Sequence, residues 1–171
     1  MRIGAISVVM FFLFLIEGTI AQVFASEVWD LPWLIVPRFV LVGVVFIGLY
    51  GGRRRGFFFG LCFGLLYDIV YAQVIGVYAF STALLGYLAG LATRYFHQNW
   101  LLVFFTVLLV IFVNELLVYE IYHLFNIVYM SWIHLFTKEI IPTVIVNALY
   151  AVLIFRPMSK LLKQSRIEEL T

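Results

Sequence analysis

Between Ile3 and Phe24 one charged residue, Glu17, interrupts an apolar run. Five further runs of the same kind follow at residues 34–50, 56–71, 76–92, 100–123 and 140–155. Runs this long and this poor in charge have few stable settings. In hydrocarbon the backbone must satisfy its own hydrogen bonds, so each is expected to be a helix, and roughly 20 residues carry a helix across a bilayer. Six such spans consume the chain. Composition agrees, because 65% of the residues are hydrophobic and 12% charged, whereas soluble domains are roughly 45–50% apolar and about 25% charged. The expected fold is therefore an all-α integral membrane protein, a six-helix transmembrane bundle forming one domain over residues 1–171. That excludes a separate soluble catalytic or nucleotide-binding domain, and a net charge of +2 offers no nucleic-acid footprint. A single cysteine, Cys62, excludes an internal disulfide framework and a Cys-rich metal site, and no cofactor is expected.

Basic residues orient the spans. With the amino end inside, Arg2, Arg53, Arg54, Arg55, Arg94, Arg156, Lys160, Lys163 and Arg166 are cytoplasmic, while Arg38 and Lys138 fall toward the outside with Glu27, Asp30 and Glu139. This is a positive-inside bias, and an even number of spans returns both termini to the cytoplasm. Val23-Phe24-Ala25 before Ser26 also suits a signal-peptide cleavage site. The apolar run is longer than an ordinary signal core and Glu17 interrupts it, which favours a first span. Residues 124–138, LFNIVYMSWIHLFTK, are too apolar for a free loop and too short for another span. They read as a helical or re-entrant segment along the outer surface, with Tyr129, Trp132 and His134 at headgroup level.

Gly56, Gly60 and Gly64 recur at steps of four, so they share one helical face, and Gly86 and Gly90 repeat the device on the next span. Such faces let backbones approach closely. They serve either packing within the bundle or contact with another membrane protein, and a partner's helix is expected on one of them. Depth counting also places Glu17, Arg38, Asp68, Asn114 and Glu115 in one polar layer in the outer half of the membrane. A charge at that depth costs roughly 2.5–3.5 kcal/mol on insertion scales, so it faces the bundle interior and takes a partner. Arg38 is the cation available in the layer, and it is expected to pair with Asp68. The layer reads either as a fold-specifying network or as a recognition site.

Catalytic patterns are weaker. Glu120 and His123 spell Glu-x-x-His, but a carboxylate-bridged metal site needs a second copy. Aspartyl peptidase chemistry needs two intramembrane aspartates, and Tyr67-Asp68 supplies one, with Asp30 in the outer loop. Arg53-Arg54-Arg55 between glycines reads as a tight basic turn facing anionic lipid headgroups. The tail 157–171 sets Met158, Leu161, Leu162, Ile167 and Leu170 among Lys160, Lys163 and Arg166, as in a short amphipathic helix lying on the membrane surface. Together these residues form a cytoplasmic basic rim.

The stretch Gly60-Leu61-Cys62-Phe63-Gly64-Leu65-Leu66-Tyr67-Asp68 is followed by Ile75-Gly76-Val77-Tyr78-Ala79 and Leu85-Gly86-Tyr87-Leu88-Ala89-Gly90. These segments resemble the rod shape-determining protein MreD family, with the specific part at residues 56–90 and a match in pattern over nearly the whole chain. The resemblance implies a non-enzymatic, multi-pass protein of the bacterial cell membrane. Its implied partners are MreC, the actin-like MreB, the glycosyltransferase RodA and a class-B penicillin-binding transpeptidase. It also implies a fold similar to the substrate-binding subunits of energy-coupling-factor vitamin transporters. The expected function is a scaffold of the cell-elongation complex that holds MreC by its spanning helix and helps regulate and localise peptidoglycan synthesis. The alternative is a vitamin-binding transporter subunit using the polar layer as its pocket. Ala21-x-x-x-Ala25, the docking pattern of such subunits, stands here at the outer end, the wrong side for a cytoplasmic coupling contact.

Overall fold

A computed structural model of the chain describes residues 3–23, 33–95, 100–129 and 131–167. Its helices are α1 (Ile3–Val23), α2 (Phe39–Gly51), α3 (Arg53–Tyr71), α4 (Val77–Tyr95), α5 (Trp100–Leu124), a single turn α6 (Trp132–His134) and α7 (Ile141–Ile167). A π-helical stretch, Leu135–Ile140, joins α6 to α7. No strand occurs among the described residues. Three continuous helical segments are long and apolar enough to cross a membrane: Gly4–Gln22, Trp100–Leu124 and Trp132–Leu162. Large apolar side chains such as Phe12, Phe58, Phe105, Leu109, Leu149 and Leu153 are exposed on the bundle's outside, more apolar surface than a water-soluble monomer leaves open.

The centre is α2. Its sequence FVLVGVVFIGLYG carries no polar face, and every residue from Phe39 to Tyr50 is buried. A helix apolar all round is a core helix, and α2 touches α1, α3, α4, α5 and α7. Thirteen residues rise only about 20 Å, short of a bilayer core of roughly 30 Å. The expected span 34–50 is therefore corrected: its helix begins at Phe39, and residues 34–38 run without helical structure. Pro37 explains the late start, since it disfavours helix in the residue before it.

Irregular backbone survives in an apolar setting only where protein satisfies it, and α7 does so here. Thr143 and Asn147, one turn apart, face this segment. Val36 N–H donates to Thr143 Oγ1 at 3.1 Å, and Arg38 N–H donates to Asn147 Oδ1 at 2.7 Å. Asn147 Nδ2 donates to the Val36 carbonyl at 2.9 Å, and Leu34 N–H donates to the Lys138 carbonyl at 2.8 Å. Pro37, between the two satisfied amides, has no N–H to place.

Helices α3 and α4 form the most extensive pairing in the bundle. Gly56 lies against the Gly86 backbone, Gly60 against Thr82 and Ala83, and Gly64 against Tyr78, Ala79 and Thr82. Gly90 closes the other end against Gly52 and Arg53. A Cβ at any of these positions would meet backbone atoms of the facing segment. The glycine faces are thus filled by the chain's own helices, and the expectation of a partner helix there is corrected. Contact this close also lets Thr82 Oγ1 sit 2.6 Å from the Gly60 carbonyl across the interface.

The basic triplet is not a turn. The reversal lies at Gly52, whose φ of 90° favours glycine, and Arg53, Arg54 and Arg55 form the first turn of α3. The tail differs too. Instead of starting a separate surface helix at Pro157, the chain continues α7 to Ile167. Met158 and Leu162 are buried in the main core, which extends the inward face of α7 past the proline. Residues 124–138 are partly helical: α5 ends at Leu124, and Trp132 begins the turn that feeds the π-helical stretch. There Leu135 and Ile140 pack with Tyr119 in a second small core. Arg2, Ala25, Glu27, Asp30 and the end of the tail, residues 168–171, lie outside the described residues, as do the side chains of Arg94, Lys163 and Arg166.

The glycine seam makes a direct expectation. Gly56→Ala forces a methyl against the Gly86 carbonyl and should destabilise the chain by about 1–3 kcal/mol. Gly4→Ala, where a Cβ meets nothing within 4 Å, should leave stability unchanged or raise it by up to ~1 kcal/mol. Unfolding in mixed detergent micelles measures both, and equal effects would show that the seam is not closed.

Candidate functional site

The buried polar groups do their work at helix starts. Each α-helix leaves its first N–H groups without intrahelical partners, and where a helix begins inside an apolar bundle no water is at hand. Helix α2 begins next to α1, and Glu17 of α1 supplies the acceptor: Val40 N–H donates to Glu17 Oε2 at 2.8 Å. Helix α4 begins beside the end of α3, where Asp68 does the same on a larger scale. Gly76 and Ala79 N–H donate to Asp68 Oδ2, and Tyr78 N–H to Oδ1, each at 2.9 Å. Gly76, at φ 105°, makes the reversal that lets the chain turn back over this carboxylate. A carboxylate there also meets the positive end of the α4 dipole.

Arg38 therefore does not pair with Asp68. Its guanidinium lies against Glu115 of α5, with Nε donating to Oε1 at 2.7 Å and Nη2 to Oε2 at 3.1 Å. This two-point geometry is the strong form of an arginine–carboxylate contact. Both side chains are buried. Two rings complete the surroundings, since the guanidinium carbon is 5.1 Å from the Tyr78 ring centroid and 5.8 Å from that of Tyr67, within cation–π range. Asp68 is engaged instead by three backbone N–H groups at the start of α4.

The structure thus buries all five residues of the expected layer, Glu17, Arg38, Asp68, Asn114 and Glu115, but pairs Arg38 with Glu115 and gives Glu17 and Asp68 to backbone N–H groups. Tyr67, Tyr78 and Thr82 join them, and Thr143 and Asn147 hold the backbone of the residues leading into α2. The sequence signal for this last pair was an i, i+4 polar couple inside an otherwise apolar run. Asn114 stands apart. Its amide nitrogen and oxygen are buried without a hydrogen-bond partner, and it borders a void lined by Glu17, Arg38, Tyr67, Tyr78 and Thr82. The void leaves about 10 Å³ for the centre of a water molecule, room for about one water.

Glu120 and His123 are exposed on α5, and among the described residues no group of three His, Cys, Asp or Glu side chains could hold a metal ion. Cys62 is free and exposed. On the basic rim Arg53, Arg54, Arg156 and Lys160 are exposed and Arg55 is half-buried.

Residues 1–165 match the family model described as rod shape-determining protein MreD. The chain is 31% identical over 139 residues to the rod shape-determining protein MreD of Bacillus subtilis (strain 168), an alignment covering 80% of this chain and 81% of that one. No solved structure matches the chain.

Two expectations follow from the network. Arg38→Met and Glu115→Leu should each destabilise by about 3–5 kcal/mol, because each leaves a buried charge unmatched, while the double substitution should cost clearly less than their sum. Arg38→Met with Asp68→Leu, which share Tyr78 as a neighbour, should couple far more weakly than the first pair. Coupling in the second pair and none in the first, read from unfolding in mixed micelles, would reverse the assignment. Asn114→Leu removes a polar group that has no partner and should be neutral or stabilising by up to ~1 kcal/mol, whereas Asn147→Leu strands backbone groups and should cost about 1–3 kcal/mol.

Proposed function

The chain belongs to the MreD family, and from that membership we propose that it is a six-span membrane scaffold of the cell-elongation complex. Membership makes it a rod shape-determining protein, and the segments long and apolar enough to cross a membrane go with a bacterial membrane protein. On our reading both termini face the cytoplasm and the chain binds MreC through MreC's spanning helix. It thereby helps regulate and localise peptidoglycan synthesis by RodA and a class-B penicillin-binding transpeptidase, with MreB as the filament partner inside.

One observation carries the scaffold reading. The buried carboxylates are committed to structure: Glu17 and Asp68 hold the starts of α2 and α4, and Glu115 holds Arg38. A carboxylate accepting three backbone N–H groups is a poor proton shuttle or nucleophile, and a fixed ion pair in the core favours rigidity. A rigid bundle with an apolar exterior works through its surface. Because the glycine seam is filled from within, MreC's helix takes another, lipid-facing surface. The vitamin-transporter reading gains nothing from the layer, whose void has room for about one water.

Expression of the full chain in a rod-shaped bacterium depleted of its own MreD should restore cell width, and the tagged chain should recover MreC. Asn114→Leu, which occupies the void, should do both as well as the unaltered chain, a result that separates a scaffold from a ligand receptor. Restored shape without recovered MreC would sink the MreC contact. Loss of shape with folded Asn114→Leu protein would favour a ligand.

A further inference from the structure

We propose that the outer seam of α3 and α4 is a binding groove for one acyl chain of an anionic phospholipid, with Arg54 as its phosphate contact. The groove flanks the glycine seam, and Ala79 and Ala83, which meet Gly64 and Gly60, also line it. Phe57 and Leu61 of α3 and Phe80 and Leu84 of α4 form its walls, and Arg54 and Tyr87 stand together at one end. Its volume is about 640 Å³. It runs from Gly76, just before α4, to Tyr87, and the ten helical steps from Val77 to Tyr87 rise about 15 Å. Half of a bilayer core is about 15 Å, so the groove is long enough to take most of one acyl chain.

Charge decides the occupant. The lining contains no acidic side chain, and its one charged member is Arg54, in the first turn of α3 and exposed. An apolar trough of acyl-chain length with an exposed guanidinium at one end matches an acyl chain ending in a phosphate. Arginine meets phosphate oxygens in a two-point geometry. A neutral lipid fits the trough but brings no net charge to Arg54, and a partner helix would have to carry an acid at that one depth.

The inference rests on the membrane placement proposed above, and the test is built to separate the two. The full chain is placed in nanodiscs with the same lipid in both leaflets, so the outcome does not depend on which side Arg54 faces. The probe is phosphatidylglycerol carrying a photoreactive acyl chain, with adducts mapped by mass spectrometry. Adducts should concentrate on peptides containing Phe57–Leu61 and Phe80–Leu84. Excess unlabelled phosphatidylglycerol should compete better than phosphatidylcholine. Arg54→Gln should cut groove labelling about fivefold, the equivalent of ~1 kcal/mol for one basic residue against anionic headgroups. Arg156→Gln, which removes a basic charge elsewhere on the exposed surface, should leave groove labelling unchanged. Leu84→Trp, which fills the trough, should abolish groove labelling while general lipid adducts elsewhere persist, showing an inserted, folded chain. Equal losses in Arg54→Gln and Arg156→Gln would overturn the site in favour of bulk attraction. Groove labelling by a protein in native membranes, without lipid adducts in nanodiscs, would overturn it in favour of a partner helix. Absence of adducts anywhere on the chain would overturn the membrane placement as well as the site.

Discussion

Helix starts inside an apolar bundle set the terms for this fold. A start buried without partners strands several N–H groups, at about 1–3 kcal/mol each, so α2 and α4 can begin where they do only if acceptors are brought to them. Glu17 is brought by α1 and Asp68 by the end of α3. Placing a carboxylate at that depth costs roughly 2.5–3.5 kcal/mol on insertion scales. Three hydrogen bonds to a charged acceptor, at about 1.5–3 kcal/mol each, offset that cost for Asp68. The margin widens with each contact made, and the turn at Gly76 is what brings its own N–H to the carboxylate.

The same logic organises the centre. Because α2 does not start until Phe39, the N–H groups of residues 34–38 make no helical hydrogen bonds, and such a segment packed against the core must borrow partners. Thr143 and Asn147 on α7 provide them, which fixes α7 beside α2 and explains why a helix distant in sequence lies against the core. Arg38 sits where this segment becomes helix. Its backbone is held by Asn147 and its side chain by Glu115, so one residue ties α2 to both α5 and α7. A buried ion pair of this kind adds little net stability over apolar packing. What the pair does supply is a two-point contact between the start of α2 and one residue of α5.

Much of this could be read from the residues. Apolar runs place most of the helices within a few positions, and counting depth at a fixed rise brings Glu17, Arg38, Asp68, Asn114 and Glu115 to one layer. Depth says nothing about azimuth, however. Arg38 and Asp68 count to one level but take different partners, and those of Asp68 were eight to eleven residues ahead in the sequence, on backbone rather than on a side chain. Thr143 and Asn147 stayed hidden for a related reason: small polar residues barely dent an apolar run, and their role depends on a segment more than a hundred residues away. Pro37, by contrast, was a visible reason for α2 to start late. The glycine series was legible as a close-packing face, but whether that face turns inward or outward depends on the neighbouring helix.

The glycine seam also shapes the outside of the molecule. Helix α3 has small residues on one face, Gly56, Gly60 and Gly64, and bulky ones on the other, including Phe57, Phe58 and Leu61. Bringing two backbones together on the small side draws the bulky rows of α3 and α4 toward each other at an angle, and a trough between them is the geometric result. Any change that opens the seam therefore flattens the trough, even if it never touches the lining. Where the buried charges among the described residues hold helices together, this is how interior packing reaches the exterior. The core sets the spacing of the outer rows, and that spacing decides what the membrane can place between them.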